Sequence, residues 1–398
     1  MNKIIYSLTL FFLLSLVFMN SHAVTEKVLY SVRIEAKNKF ERTKIMNLGI
    51  ALDGIGENYV ESVITKEELH NLKEISSPFE ILNLDSFTLD FPPKDARYHN
   101  YQELIDALKG LHEEYPELTE LKSIGKSVNG TDIWVLKIGS QEENLKPGIV
   151  FMGGHHAREH LSIEVPFYLA TYLLSQSQTP KIKTLLESRD IWIIPVVNPD
   201  GTEYDIENGK YKLWRKNRTH NEDGSFGVDL NRNYGYQWGR EGSSQFPRSE
   251  TYRGPEAFSE PETRTIRDFV ISHPHIKVLI SYHTFSELIL YPWGYTYDSI
   301  QNQTDLSIFE NMAGAMSKMT GYKAEQSSDL YLVSGDTTDW AYGERGIYAF
   351  TFELSPKSMG GGGFYPGDII DKTVDDNIEA ALYAIERAGH VGLSLYLH

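Results

Sequence analysis

Gly153-Gly154-His155-His156-Ala157-Arg158-Glu159-His160 sets an imidazole, His156, three residues before a carboxylate, Glu159. The stretch follows an apolar strand-like run, Gly148 to Met152, and precedes a helix-like one from Ser162 to Ser175. At such a turn the spacing brings both groups to one side of the chain, and neutral imidazole with carboxylate suits Zn2+ in catalytic sites. Four-residue patterns also arise by chance, and a His–Glu pair in a loop is more often surface polar chemistry. A third ligand, a base and a substrate anchor must therefore come from elsewhere.

Composition narrows where to look. The 398 residues suggest two domains, and 41% hydrophobic content supplies a large packed core. A net charge of −17 argues against nucleic acid or an anionic membrane as partner. Met1 to Ala23 carries Lys3, an apolar run from Ile4 to Met19 and small residues before Ala23, the pattern of a cleaved secretory signal. The alternative is an N-terminal anchor, for which the run is short; with cleavage, the protein is expected outside the cytoplasm, secreted or periplasmic, and off the membrane. With no cysteine, a metal site must use His, Asp or Glu. The sequons at Asn129, Asn217 and Asn302 are read as chance matches.

Residues 24–97 are expected to form a small α/β unit and its connector. Strands are read at Val28 to Ile34, Tyr59 to Ile64 and Phe79 to Leu84, with helices at Lys39 to Asn47 and Lys66 to Glu74; no cluster of catalytic groups stands out. Phe91-Pro92-Pro93-Lys94-Asp95-Ala96-Arg97 reads as an exposed connector, a place to be cut. From 98 to 398, a helix over Asn100 to Tyr115 and a hairpin turning at Asn129-Gly130 precede short apolar runs at Gly148 to Met152, Ile191 to Val197, Ile276 to Tyr282 and Ile347 to Phe352. Such runs are buried on both faces. Helices between them include one begun by a Ser259/Glu262 capping box, one ended by Gly321 and one over Asp371 to Arg387. The pattern predicts an α/β fold: a twisted, mixed but mostly parallel sheet with helices on both faces and a hairpin at one edge. Ligands then bind beyond the strand C-terminal ends. Gly360 to Gly363 reads as a flexible loop, since no phosphate-binding Lys-Ser/Thr follows it.

Those strand ends carry the missing chemistry. His283 leaves the run through Ile280, and Glu353 follows Tyr348 to Phe352. Two histidines and a glutamate with one open position form the ligand set of zinc peptidases, and a further carboxylate beside the metal is placed to take a proton from water. Leu213 to Arg218 and Val228 to Asn233 are dense in hydrogen-bonding groups; the amide and planar guanidinium of Asn231-Arg232 suit two-pronged recognition of a carboxylate.

His156-x-x-Glu159, Trp214-Arg215-Lys216, Asp229-x-Asn231-Arg232-Asn233, His283, Tyr291-Pro292-Trp293-Gly294-Tyr295, Tyr331, Asp339-Trp340 and Thr351-Phe352-Glu353-Leu354 resemble the zinc metallocarboxypeptidases of the carboxypeptidase A and B family, most of all its bacterial carboxypeptidase T branch. The resemblance covers residues 98–398. It implies one Zn2+ on His156, Glu159 and His283, with Asp229 orienting His156. Glu353 would be the general base, Arg215 would stabilise the oxyanion, and Asn231, Arg232 and Tyr331 would grip the substrate's terminal carboxylate. Arg158 would contact substrate from the rim, and residues 24–91 resemble the family's activation segment. No ligand position matches His155 or His160, which are read as supporting polar residues and bystanders to the metal, and calcium is left open, since no motif specifies it.

In the family, an acidic residue at the position of Thr338 marks preference for basic C-termini and a large aliphatic one for apolar C-termini. Thr338 is neither. Lining the pocket with Leu290, Gly294, Leu330, Val333 and Thr351, and with Asp336 two residues away, it suggests mixed specificity: apolar and aromatic C-terminal residues first, Lys and Arg accepted. The chain is thus expected to be a secreted, monomeric zymogen acting on peptide or protein C-termini after a protease cuts the connector. The alternative is a zinc amidohydrolase of cell-wall peptides or acyl-amino acids, which need not carry the full carboxylate clamp.

Overall fold

The computed structural model describes residues 29–74, 78–82, 95–140, 146–209 and 211–391; the expected signal (1–23) and connector residues 91–94 lie outside them. The first unit comprises β1 (Leu29–Glu35), α1 (Lys39–Met46), β2 (Gly54–Ile55), β3 (Tyr59–Thr65), α2 (Lys66–Glu74) and β4 (Phe79–Leu82). Its sheet runs β2-β3-β1-β4, with every pair antiparallel. Two-residue alternation sets Val32, Ile34, Val60 and Ile64 against Ile45, Met46, Leu69 and Leu72 in a core of its own. Asn38 begins α1 by accepting hydrogen bonds from the Phe40 and Glu41 amides.

The remaining elements are α3 (Tyr101–Glu114), β5 (Thr119–Lys126), β6 (Asp132–Ile138), β7 (Gly148–Met152), α4 (Leu161–Ser175), α5 (Pro180–Ser188), β8 (Asp190–Ile194), α6 (Pro199–Ile206), α7 (Pro261–Ser272), β9 (Ile276–Thr284), β10 (Leu288–Tyr291), α8 (Gln303–Thr320), β11 (Lys323–Gln326), α9 (Ser327–Leu330), α10 (Thr337–Arg345), β12 (Tyr348–Leu354) and α11 (Ile370–Ala388). The strands form one sheet in the order β11-β10-β12-β9-β7-β8-β6-β5. Its centre, β12-β9-β7-β8, is parallel; the β5–β6 hairpin closes one edge, and at the other β10 runs antiparallel to β12 and parallel to β11. The expected mixed, mostly parallel sheet is present. On β7, Ile149 and Phe151 pack into the layer containing α4, α8 and α11, while Val150 and Met152 pack towards α7 and α10. Burial on both faces explains the unbroken apolar runs. Among the described residues no helix is long and apolar enough to cross a membrane.

Two local expectations are corrected. The Ser259/Glu262 capping box does not form: Glu260 occupies the cap position without a side-chain cap, and Glu262 instead accepts from the Val128 amide at 2.9 Å. The tertiary partner wins over the local one. The connector is exposed at Ala96 and Arg97, as expected, but not at Asp95, and its end is tied to the second unit. Asp95 is buried and accepts from the Tyr211 hydroxyl (3.0 Å), Arg97 pairs with Asp368 and Asp371, and Tyr98 donates to the Gly367 carbonyl.

Candidate active site

The turn after β7 needs glycine. A Cβ on Gly153 would lie 1.9 Å from the Ser162 carbonyl oxygen, and Gly154 has φ +62°. The turn carries His156 and Glu159 back over the sheet to meet His283 at the end of β9. His156 Nδ1 and His283 Nδ1 lie 3.1 Å apart, with Glu159 Oε1 2.7 Å from the first and Oε2 3.0 Å from the second. The other imidazole nitrogens are engaged: His156 Nε2 with Asp229 Oδ1 and His283 Nε2 with Ser281 Oγ, each at 3.1 Å. With the ring protons held there, two Nδ1 lone pairs and a carboxylate converge on one buried point, a donor set that calls for a cation. This is the group of described residues that could hold a metal ion, and it fits Zn2+. Burial would raise the Glu159 pKa, but the two imidazoles hold it well below the usual carboxylate range.

Asp229 ties this group to the next. Its second oxygen accepts from Arg215 Nε at 3.0 Å, and Arg215 Nη1 lies 3.8 Å from Glu159. The backbone joins them too, because the Ala157 amide donates to the Arg215 carbonyl. Burial opposes the charge of Asp229, yet Arg215 and His156 keep it ionised, well below its ordinary range.

Glu353 pairs in register with His283 across β12 and β9. Burial, then the nearby Glu159 carboxylate, push its pKa well above the usual value, while Arg215 and Arg232 pull it back. Asn231 and Arg232 follow Asp229 in one tight turn; Arg232 is fixed by the Gly242 and Asn231 carbonyls. Burial raises Tyr331 to about 12 even though Arg232 opposes it, so its hydroxyl stays protonated and can donate. Arg232, Arg215 and Glu353 all act on Tyr331 electrostatically, so these four groups lie near one another.

At the start of α10, Asp336 Oδ1 caps the helix through the Thr338 and Asp339 amides and also accepts from Thr338 Oγ1. Its buried Oδ2 has no partner and would lie 3.4 Å from a Cβ on Gly294. The Thr338 hydroxyl is therefore committed to Asp336.

Arg158 is not on an open rim. It is 1% exposed, stacked over the Phe364 ring and donating to the Leu213 carbonyl, and Asp53, from the first unit, pairs with its Nη2 at 2.5 Å. Ile55 packs with Leu290, Leu330 and Tyr331, and Val63 with Leu213, Phe285 and Phe364. Arg42 donates to the Asp329 and Leu330 carbonyls, and Thr43 Oγ1 accepts from the Leu332 amide, so the chain is held on both sides of Tyr331. The first unit, which offered no catalytic cluster to sequence reasoning, packs on Arg158 and around Tyr331; Asp53-Gly54-Ile55 gave no local signal beyond a turn.

The neighbouring histidines are not idle. His160 bonds Asp205, which also accepts from the Trp214 amide and the Tyr365 hydroxyl, steadying the segment before Arg215. His155 is buried beside His283, and burial pushes its pKa well down, leaving it neutral.

A mostly parallel sheet that gathers two imidazoles, a liganding carboxylate, a second free carboxylate and two guanidiniums beyond its strand ends defines a metal-dependent hydrolase. Residues 104–380 match the family model described as zinc carboxypeptidase. A zinc carboxypeptidase of Saccharothrix mutabilis subsp. capreolus is 35% identical, over 88% of this chain and 86% of its own. Carboxypeptidase B of Astacus astacus is 36% identical, over 71% and 94%. The crystal structure of thrombin activatable fibrinolysis inhibitor superposes with a TM-score of 0.75 at 26% identity, covering 91% of this chain and 99% of that one. The chain belongs to the zinc carboxypeptidase family, and is a metallocarboxypeptidase that uses one Zn2+ to remove residues from peptide C-termini.

Proposed function

We propose that this chain is an exported, latent carboxypeptidase in which His156, Glu159 and His283 hold the metal and Glu353 moves the proton. The convergence of both Nδ1 atoms with Glu159 carries the reading. When bound, Zn2+ polarises a carbonyl and acidifies water towards a pKa of about 7. Glu353, with its raised pKa, takes the proton of the attacking water and delivers it to the leaving amine. Arg215, kept charged by Asp229 and Glu159, faces the developing oxyanion, an interaction of about 3 kcal/mol in comparable sites. Asn231, Arg232 and Tyr331 hold the terminal carboxylate, which limits attack to the last peptide bond. Asp229 fixes the orientation of His156, and Arg158 meets the substrate upstream once uncovered.

Latency is supported by the Asp53–Arg158 pair and by Ile55 at Tyr331. The length over which relatives align, 88% and 91% of this chain, reaches into the first unit. Asp95 to Tyr98 are anchored to the second unit, so the activating cut is read upstream of Asp95, among residues 83–94, rather than at Arg97. Export rests on the composition of residues 1–23. The free Asp336 Oδ2 supports acceptance of Lys and Arg beside apolar and aromatic C-terminal residues. Chelation should abolish hydrolysis by the cut protein and Zn2+ should restore it; turnover that survives chelation contradicts the reading.

A further inference from the structure

His155 lies between the two halves of the cleft. Its Nδ1 is 3.5 Å from Ser281 Oγ, which in turn is 3.1 Å from His283 Nε2. Its Nε2 is 2.9 Å from Tyr234 Oη and 3.2 Å from Thr337 Oγ1. The Thr337 hydroxyl and amide both donate to Asn231 Oδ1, at 2.9 and 3.0 Å. All of these side chains are buried, so the protons in the chain cannot be supplied by solvent.

Their direction is fixed from one end. A cation held by His283 Nδ1 leaves the ring proton on Nε2, to be donated to Ser281 Oγ. Ser281 then donates its own proton to His155 Nδ1, and the His155 proton sits on Nε2, shared by Tyr234 and Thr337. Thr337 is left to donate to Asn231, which turns the amide oxygen inward and frees the NH2 group for an incoming carboxylate. Without His155 the Thr337 amide alone still holds the Asn231 oxygen inward, and the Thr337 hydroxyl is freer to turn away from it, so the Asn231 amide loses part of the reason for its orientation.

We propose that His155 is a positioning residue that relays the hydrogen-bond direction set at His283 to Asn231, orienting its amide for the substrate carboxylate. The proposal rests on the reading of Asn231 as part of the carboxylate clamp.

The test uses the zinc-loaded full chain, cut in its connector, and compares peptides with a free C-terminus against the same peptides amidated. His155→Leu should raise KM for the free peptide about tenfold and lower the free-over-amide preference equally, with kcat changed by less than about threefold. Zinc affinity from chelator competition should change by less than about threefold, because Ser281 still serves His283. His155→Gln, which can accept from Ser281 and donate to Thr337, should recover most of the KM. Thr337→Val should reproduce the defect, and combining it with His155→Leu should add little. Should His155→Leu fail to fold, Thr337→Val and His155→Gln read the same link. Loss of zinc in parallel with kcat, additive effects, or no recovery by Gln would overturn the relay. If Asn231→Ala leaves the free-over-amide preference intact, the clamp itself is wrong, which is a different failure.

Discussion

His156, Glu159, His283 and Glu353 leave the ends of parallel strands, whereas Asn231, Arg232 and Tyr331 sit on irregular segments beside them. The metal half is held by the sheet: His283 and Glu353 are register neighbours, and the Thr284 amide fixes Glu159 at 3.2 Å. The second group borrows part of its order from the first unit, which grips the chain on both sides of Tyr331 and pairs with Arg158. The first unit pairs Asp53 with Arg158 and packs Ile55 against Tyr331, while His156, Glu159 and His283 stay gathered at one point.

Substitutions on each side should separate the halves. Glu353→Gln is expected to lower kcat by about 10²–10⁴-fold while zinc remains bound; stopped assays of kcat with metal analysis check it, and a normal kcat removes Glu353 from its role. Asp53→Asn leaves buried Arg158 with only the Glu250 carboxylate, 3.9 Å away, a loss smaller than the ~3–5 kcal/mol of a fully broken buried pair. The uncut chain should accordingly gain activity by about 100-fold or until it matches the cut form, measured on one peptide before and after proteolysis. Unchanged latency would mean that the cover does not depend on this pair. On the metal side, Asp229→Asn should weaken zinc by about 10–100-fold in chelator competition, equally in the cut and uncut chains. A large difference between the two forms would show that the first unit shapes the metal half as well. Asp336→Asn is the smallest change: kcat/KM for peptides ending in Arg should fall about tenfold relative to Phe, and an unaltered ratio would leave Oδ2 without a part in specificity.

The same division governs what the amino-acid sequence discloses. β7 was readable to the residue because burial on both faces leaves an unbroken apolar run bounded by glycine, and the strand-end rule then points to His156, His283 and Glu353. β10 and β11, at four residues each, are too short to show a period. A shared role for Asn231, Arg232 and Tyr331 is implied only by resemblance, since no local pattern joins segments 100 residues apart in the chain. Asp53 was invisible: its partner Arg158 is 105 residues away, and an Asp-Gly pair reads as a turn. His155 was set aside for a related reason, because Tyr234, Ser281 and Thr337 meet it only after folding.

Mass spectrometry of a defined peptide mixture, incubated with the uncut and the cut chain, each with zinc and with chelator, reaches the centre of the account. Stepwise loss of C-terminal residues should appear with the cut, zinc-loaded chain and be weak or absent in the other three samples. Internal cleavage, trimming that persists with chelator, or equal trimming by the uncut chain would contradict it.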